Sequence, residues 1–186
     1  MRHIATAIAS VAPSSSTPWN QRIVLGIWAA KFLPFCAQHL PGYAISNIGF
    51  SIPYARGFLT LPHICFNTLQ HSLMGPRGRS YIRDLQAQGR PLLVWTVNVD
   101  YCMRWSIDRG VDGVITDDPK RFQEIVGEWE AGNRELGRMT WTQLAFLVWL
   151  NIMVLVFGIV FRWKYGGRRL GEQVRKATAV AADGHR

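Results

Sequence analysis

Between residues 21 and 138, short apolar runs alternate with segments of helical periodicity. The first pair is the β-branched run 22–28, typical of a buried parallel strand, followed by helical spacing over 31–40. Further strands are predicted at 45–51, 91–97 and 111–116, a short extra strand at 64–69, and helices at 79–88, 100–109 and from Asp118 onward. This alternation predicts an α/β fold of about four parallel β/α units.

Local signals support several of these boundaries. Gly89 and Gly110 follow helical segments in the position of C-terminal caps. Asp118 followed by Pro119 is a strong signal for a helix start. Residues 1–20 are interpreted as a loop and helix remnant, because a Ser/Thr/Pro run ends them, and a weak targeting segment over residues 4–11 is the alternative.

The C-terminal part contains one long apolar run. Residues 144–161 carry no charge and one polar residue, Asn151. Extended to Thr140 the run reaches 22 residues, which as a helix spans a hydrocarbon core of about 30 Å. Trp141 lies at one end, and Trp163 and Tyr165 lie at the other, as expected of interfacial aromatic residues. The sequence therefore predicts a transmembrane helix at 140–162 and a basic tail at 163–186.

The orientation of this helix stays open at the sequence level. The nearest basic residues follow the run, which favours a cytosolic tail, whereas the lack of a convincing signal sequence favours a cytosolic domain. A re-entrant hairpin turning near Asn151 is a third alternative. We expect a single-pass membrane protein with a cytosolic domain, in the endoplasmic reticulum, mitochondrial or lipid-droplet membrane.

Charge and cysteine usage narrow the choice of partners. The chain has 21 basic and 12 acidic residues, for a net charge of +9, and its basic tail beside an apolar run favours a membrane surface over nucleic acid. The three cysteines are far apart, which excludes a disulfide framework and a thiolate zinc site, and no histidine has metal-ligand spacing. The first acidic residue is Asp84.

Two motifs carry a family resemblance. W-T-V-N at 95–98, followed after a helix by G-V-D-G-V-I-T-D-D-P at 110–119, resembles the seventh and eighth strands of a glycerophosphodiester phosphodiesterase domain, a TIM barrel. Residues 22–28 and 48–51 resemble its fifth and sixth strands. Linking segments at 31–34, 53–56 and 73–76, with the apolar helix, resemble the fungal branch that acts as a phosphatidylglycerol phospholipase C. The resemblance implies that residues 21–138 are the C-terminal half of a TIM (β/α)8 barrel.

The resemblance also implies a site. The family lines its substrate pocket with the tryptophan that matches Trp95, and Asn98 and Trp28 are further substrate-binding candidates at strand ends. Strand alternation leaves open whether Trp95 points inward or outward. Asp112, Asp117 and Asp118 surround one predicted strand end, and two of them could face a ligand. The simpler interpretation is that Asp118 caps a helix and Asp117 binds backbone N–H groups in the loop.

No catalytic or metal-binding residue is predicted. The family's His-Arg, Glu-x-Asp, second His and later Glu have no counterpart here, so the divalent cation (Ca²⁺ or Mg²⁺) of the full-length family is not expected in this chain. Two functions remain. One is a membrane-anchored phosphodiester hydrolase of glycerophospholipids such as phosphatidylglycerol. The other is a catalytically inactive membrane-anchored fragment or truncated gene model. In both cases membrane lipid is the expected partner, with self-association through open barrel edges.

Overall fold

The computed structural model describes residues 1–12, 16–62, 64–165, 171–173 and 175–176. Residues 13–15 of the predicted Ser/Thr/Pro loop and most of the predicted basic tail lie outside the described residues. The described strands are β1 (Val24–Ile27), β2 (Ala44–Gly49), β3 (Ile64–Leu69), β4 (Leu92–Trp95) and β5 (Gly113–Val114). The described helices are α1 (Arg2–Ala9), α2 (Leu33–His39), α3 (Ile52–Ala55), α4 (Gln70–Leu73), α5 (Pro76–Ala87), α6 (Asp100–Asp108), α7 (Pro119–Glu130) and α8 (Trp141–Tyr165).

The strands form one five-stranded sheet in the order β1-β2-β3-β4-β5. β1 pairs with β2, β3 with β4, and β4 with β5, each in parallel. The predicted α/β class is therefore confirmed, because parallel neighbours require crossover connections.

The count of four β/α units is wrong, since β3 is a full member of the sheet. Its six residues alternate between buried and half-buried positions, as a strand requires. The segment before β3 contains only α3 and a short 3₁₀ turn, Arg56–Phe58. Without a long helix before it, β3 gave no β/α repeat signal and was interpreted as an extra strand.

The described chain divides into two compact units. The first comprises the described residues within 1–48, 53–65 and 160–176 and contains β1, β2 and α2. Tyr54 anchors this unit: its hydroxyl accepts a hydrogen bond from the Ala30 backbone N–H at 2.9 Å, and its ring packs edge-on against Phe58 and Phe161. Burial raises the pKa of the Cys36 thiol, which is therefore protonated at neutral pH.

The second unit comprises residues 49–52 and 66–159. Phe66 on β3 packs edge-on against Tyr81 of α5, with ring centroids 5.9 Å apart. Gln70 is fully buried, and its side-chain amide donates to the Cys102 carbonyl and to the Ser106 hydroxyl, both at 2.7 Å. This amide connects α4 to α6. Burial also raises the pKa of the Cys102 thiol to about 11.

Several predicted helix boundaries are confirmed. Gly89 and Gly110 have φ of +59° and +61°, the left-handed conformation that favours glycine at a helix end. Asp118 caps α7, since its carboxylate accepts a hydrogen bond from the Arg121 backbone N–H at 2.9 Å. α5 begins earlier than predicted, at Pro76, a residue favoured in a first helical turn.

Gly78 marks a tight approach between α4 and α5. A Cβ atom at Gly78 would lie 2.0 Å from the Leu73 carbonyl oxygen, which is backbone and cannot rotate away. Only glycine fits this position without a shift of the chain.

α8 is the apolar helix predicted from the sequence. Its segment Trp141–Phe161 has a mean hydropathy of 2.7, is mostly exposed, and is long and apolar enough to span a membrane. Its less exposed positions before residue 160 lie along one helix face: Gln143, Leu147, Leu150, Asn151, Met153, Val154 and Gly158. Within the second unit, the Asn151 amide donates to the His71 carbonyl at 3.3 Å, and Phe146 packs edge-on against the His71 ring.

Candidate functional site

Asn98 joins the carboxyl ends of two neighbouring strands. It follows β4, and its side-chain amide donates to the Asp117 carboxylate at 2.6 Å. Its side-chain carbonyl accepts from the Thr116 hydroxyl at 3.1 Å and from the Asp117 backbone N–H at 3.0 Å, both after β5. Both ends of the Asn98 side chain are thus engaged within the protein, although the residue is exposed.

The three aspartates predicted around one strand end do not lie together. Asp117 contacts Asn98 and Asp118 caps α7, whereas Asp112 precedes β5 and its carboxylate accepts from the Leu92 backbone N–H at 2.7 Å. Strand β5 separates Asp112 from the other two. The capping role predicted for Asp118 is confirmed.

The carboxylate of Asp100, at the start of α6, is paired with an arginine side chain. Arg121 of α7 lies 2.5 Å from the Asp100 carboxylate and 3.0 Å from that of Glu124. The hydrogen bond from Arg121 lowers the pKa of Asp100, and the same contacts raise the pKa of Arg121. Both groups therefore stay charged and paired near neutral pH.

Trp95 lies on the sheet face opposite to that covered by α5. Phe66, which contacts α5, is in register with Leu92, and Val94 shares that face and is fully buried. Trp95 points to the other face, where its indole N–H donates to the Asn67 carbonyl at 3.1 Å. In a β/α barrel the helices cover the outer face, so this direction corresponds to the interior. Its contact with substrate stays a prediction.

Trp28 follows β1 in the first compact unit and is 47% exposed. Its role in substrate binding also stays a prediction.

A small cavity of about 130 Å³ lies beside Asn98 in the second unit. Liquid water occupies about 30 Å³ per molecule, so the cavity accommodates a headgroup fragment rather than a whole lipid. Three parts of the chain line the cavity: α4, the segment from the end of β4 into α6, and the residues around the start of α8. The lining residues are His71, Thr96, Asn98, Val99, Tyr101, Cys102, Met139, Gln143 and Phe146.

His71 is an ionisable residue of this cavity, beside Tyr101 and Cys102, and was not predicted from the sequence as a site residue. It follows β3 directly in α4, and its ring is half-buried against Phe146. Burial lowers its pKa below the ordinary 6.5, which favours the neutral imidazole at pH 7. Its Nδ1 is buried and has no hydrogen-bond partner among the described residues. The only signal in the sequence was that His71 follows the predicted strand at 64–69, which was not counted as a β/α unit.

The described residues do not fit a divalent cation. Calcium and magnesium require several oxygen ligands, usually carboxylates. Among the residues that the structure describes, no group of three His, Cys, Asp or Glu side chains could hold a metal ion. The nearby carboxylates of Asp100, Asp117 and Asp118 are already engaged by Arg121 or Asn98. No hydrolytic step can be assigned to a metal held by this set.

Comparison with known proteins places the chain in a family. Residues 3–121 match the glycerophosphoryl diester phosphodiesterase family, a span that covers well over half of the chain. The protein belongs to this family, so the family resemblance is confirmed. No curated protein matches the sequence.

A solved structure shows the same fold. It is a crystal structure of a protein from Silicibacter pomeroyi DSS-3 assigned as a glycerophosphoryl diester phosphodiesterase. The two chains share 21% identity with a TM-score of 0.51, over 60% of this chain and 40% of the other. The match therefore covers less than half of the length of that chain. The five-stranded parallel sheet agrees with part of a TIM barrel.

Proposed function

We propose that this chain forms the substrate-lining part of a membrane-anchored phosphodiester hydrolase of glycerophospholipids. The observation that carries the proposal is the cavity at the carboxyl ends of β3 and β4 in a chain that belongs to a phosphodiesterase family. In β/α barrels these strand ends form the substrate-binding face.

Each candidate residue has a distinct role in this proposal. Trp95 does not line the cavity itself; from the neighbouring position before Thr96, on the other face of β4, its indole supplies an apolar surface for the carbon portion of the substrate. The neutral imidazole of His71 hydrogen-bonds a headgroup oxygen through its unpaired Nδ1. Asn98 acts as a positioning residue, because its amide already holds the ends of β4 and β5 together.

The start of α8 supports a lipid as substrate. Gln143 and Phe146 of this helix line the cavity, and the helix continues as a run long and apolar enough to span a membrane. In the described structure Phe146 and Asn151 of this run contact His71, so these contacts and a membrane-spanning position of the run are alternative states of α8. A phosphatidylglycerol-like lipid is the class we propose, with the helix as a single-pass anchor.

Catalysis requires groups that the described residues do not supply. Phosphodiester hydrolysis needs a neutralised phosphate and a general acid or base. In the described part of the chain no carboxylate cluster lies near the cavity. We therefore propose that the 186 residues bind the headgroup but do not hydrolyse it unaided. The same observation favours the second candidate, a catalytically inactive membrane-anchored fragment.

The experiment uses the full 186-residue chain in detergent micelles that contain phosphatidylglycerol. We expect saturable binding that is weakened about tenfold in Trp95→Leu, with Trp129→Leu on α7 as the matched control. We expect no diacylglycerol release that a chelator abolishes. Equal loss of binding in both tryptophan variants would remove Trp95 from the site, and chelator-sensitive release would contradict the missing catalytic set.

The two candidates are separated by the transcript upstream of the Met1 codon. An in-frame His-Arg and Glu-x-Asp would favour the hydrolase, because these are the motifs of the family's other half. An in-frame stop codon directly upstream would favour the inactive fragment.

A further inference from the structure

A second, larger groove lies between α5 and the end of α6 and shares no residue with the cavity. Its volume is about 740 Å³. It is lined by Pro76, Arg79, Ile82, Arg83, Gln86, Ile107, Asp108, Arg109 and Gly110. Three of these residues are arginines and one is acidic, so the groove carries a net charge of about two positive units.

Two of the arginines come from one face of α5. Arg79 and Arg83 are four residues apart, a spacing at which like charges destabilise a helix. Both are exposed, and neither forms an ion pair with another residue in the described part of the chain. A bound anion would offset this repulsion.

Contacts within the protein hold the third arginine, Arg109, in place without a ligand. The Arg109 guanidinium lies over the Trp105 ring, 5.9 Å from its centroid. The side-chain amide of Gln86 donates to the Arg109 carbonyl at 3.0 Å, which fixes the backbone there. The Arg109 Nε lies 3.5 Å from the Asp108 carboxylate, yet it is buried and makes no hydrogen bond within the described residues.

We propose that this groove binds a phosphomonoester. Planar guanidinium groups bind phosphate oxygens in pairs, and a phosphomonoester carries about −1.5 to −2 charges at pH 7, which matches the net charge of the groove. The apolar side chains of Pro76, Ile82 and Ile107 provide a wall for the carbon skeleton. The volume is within the range of small-molecule sites. The phosphate could belong to a soluble ester or to a lipid headgroup.

The test is titration calorimetry on the full chain in zwitterionic detergent. One arm uses glycerol 3-phosphate, and the other uses bicelles with phosphatidic acid against bicelles of phosphatidylcholine alone. We expect saturable binding in at least one arm, and that arm identifies the source of the phosphate. Arg83→Gln and Arg79→Gln should each weaken binding about tenfold, because a charged hydrogen-bond pair is lost.

Arg77→Gln is the matched control. Arg77 is an exposed arginine in the same helix but does not line the groove, so binding should change less than twofold. Circular dichroism melting checks that each variant folds. Equal losses in the three variants would overturn the proposal in favour of diffuse charge attraction, and so would the absence of saturable binding in both arms.

This result is independent of the proposed hydrolase function. His71→Gln alters the cavity beside β3 and should leave binding in the groove unchanged. Loss of phosphomonoester binding in His71→Gln would mean that the ligand occupies the cavity, and the groove proposal would then be wrong.

Discussion

His71 lines the cavity, and its partial burial determines its charge state. Its imidazole is neutral at pH 7 because desolvation lowers its pKa, and no described group offsets that cost by pairing with its Nδ1. Protonation of His71 in the folded chain is therefore more costly than in the unfolded chain.

The first prediction concerns pH. The unfolded chain binds a proton at His71 near pH 6.5, whereas the folded chain binds it only at lower pH. The contribution of His71 to the free energy of unfolding should thus be fully present above pH 6.5, and the free energy of unfolding should decrease as the pH falls below 6.5. Urea denaturation from pH 7.5 to 5 should show this decrease, and His71→Gln should reduce it. His39→Gln is the control, and identical pH profiles for wild type and His71→Gln would contradict the prediction.

The second prediction concerns Asn98. Replacing it with alanine removes three hydrogen bonds between the ends of β4 and β5. Because the site is exposed and water replaces part of the loss, we expect a destabilisation of about 1 kcal/mol. Asn133→Ala, after α7, should change stability by less than about 0.5 kcal/mol. Equal unfolding free energies for the two variants would show that Asn98 does not hold the strand ends.

At the scale of elements, Gln70 connects α4 to α6 through a fully buried amide. The third prediction is that Gln70→Ala lowers the free energy of unfolding by about 2 kcal/mol, because buried polar partners lose a donor and a void is left. Chemical denaturation measures this, with exposed Gln123→Ala on α7 as the control. A Gln70→Ala variant as stable as wild type would show that this amide does not stabilise the contact between α4 and α6.

Elements with strong local signals could be predicted, whereas the place of a strand in the sheet, which long-range pairing defines, could not. The Asp118-Pro119 start of α7 and the glycines after α5 and α6 act within a few residues, so the sequence contains their whole cause. β3 was predicted as a strand with the bounds that the structure shows, but its full place in the sheet depends on its neighbours, and its polar Asn67 and Thr68 weakened its apolar signal.

The candidate site was predictable only in part, for the same reason. Trp95 and Asn98 were found through a local motif, but its spacing could not show which sheet face Trp95 occupies. His71 enters the cavity through its position after β3 and through contact with a helix some eighty residues away. Such proximity is a property of the folded chain rather than of its motifs.

At the scale of the whole molecule, β1 and β5 are the end strands of the described sheet. End strands present unpaired backbone groups that favour association with other strands. The fourth prediction is that residues 1–139, expressed without α8, self-associate in analytical ultracentrifugation. Val24→Lys, at an exposed position on β1, should reduce that association, with Val11→Lys as the control. A monomeric 1–139 fragment with a cooperative melting transition would contradict this prediction.

Because of the close approach at Gly78, natural variation at this position tests whether selection still maintains the gene. A gene copy without a function accumulates substitutions regardless of packing, whereas selection removes those that take stability below a threshold. Any side chain at Gly78 would collide with the Leu73 backbone, but Gly127, also within a helix, has open space around it. If the protein still serves its cell, natural alleles will retain Gly78 while Gly127 varies. Equal variation at the two glycines would indicate a chain that selection no longer maintains.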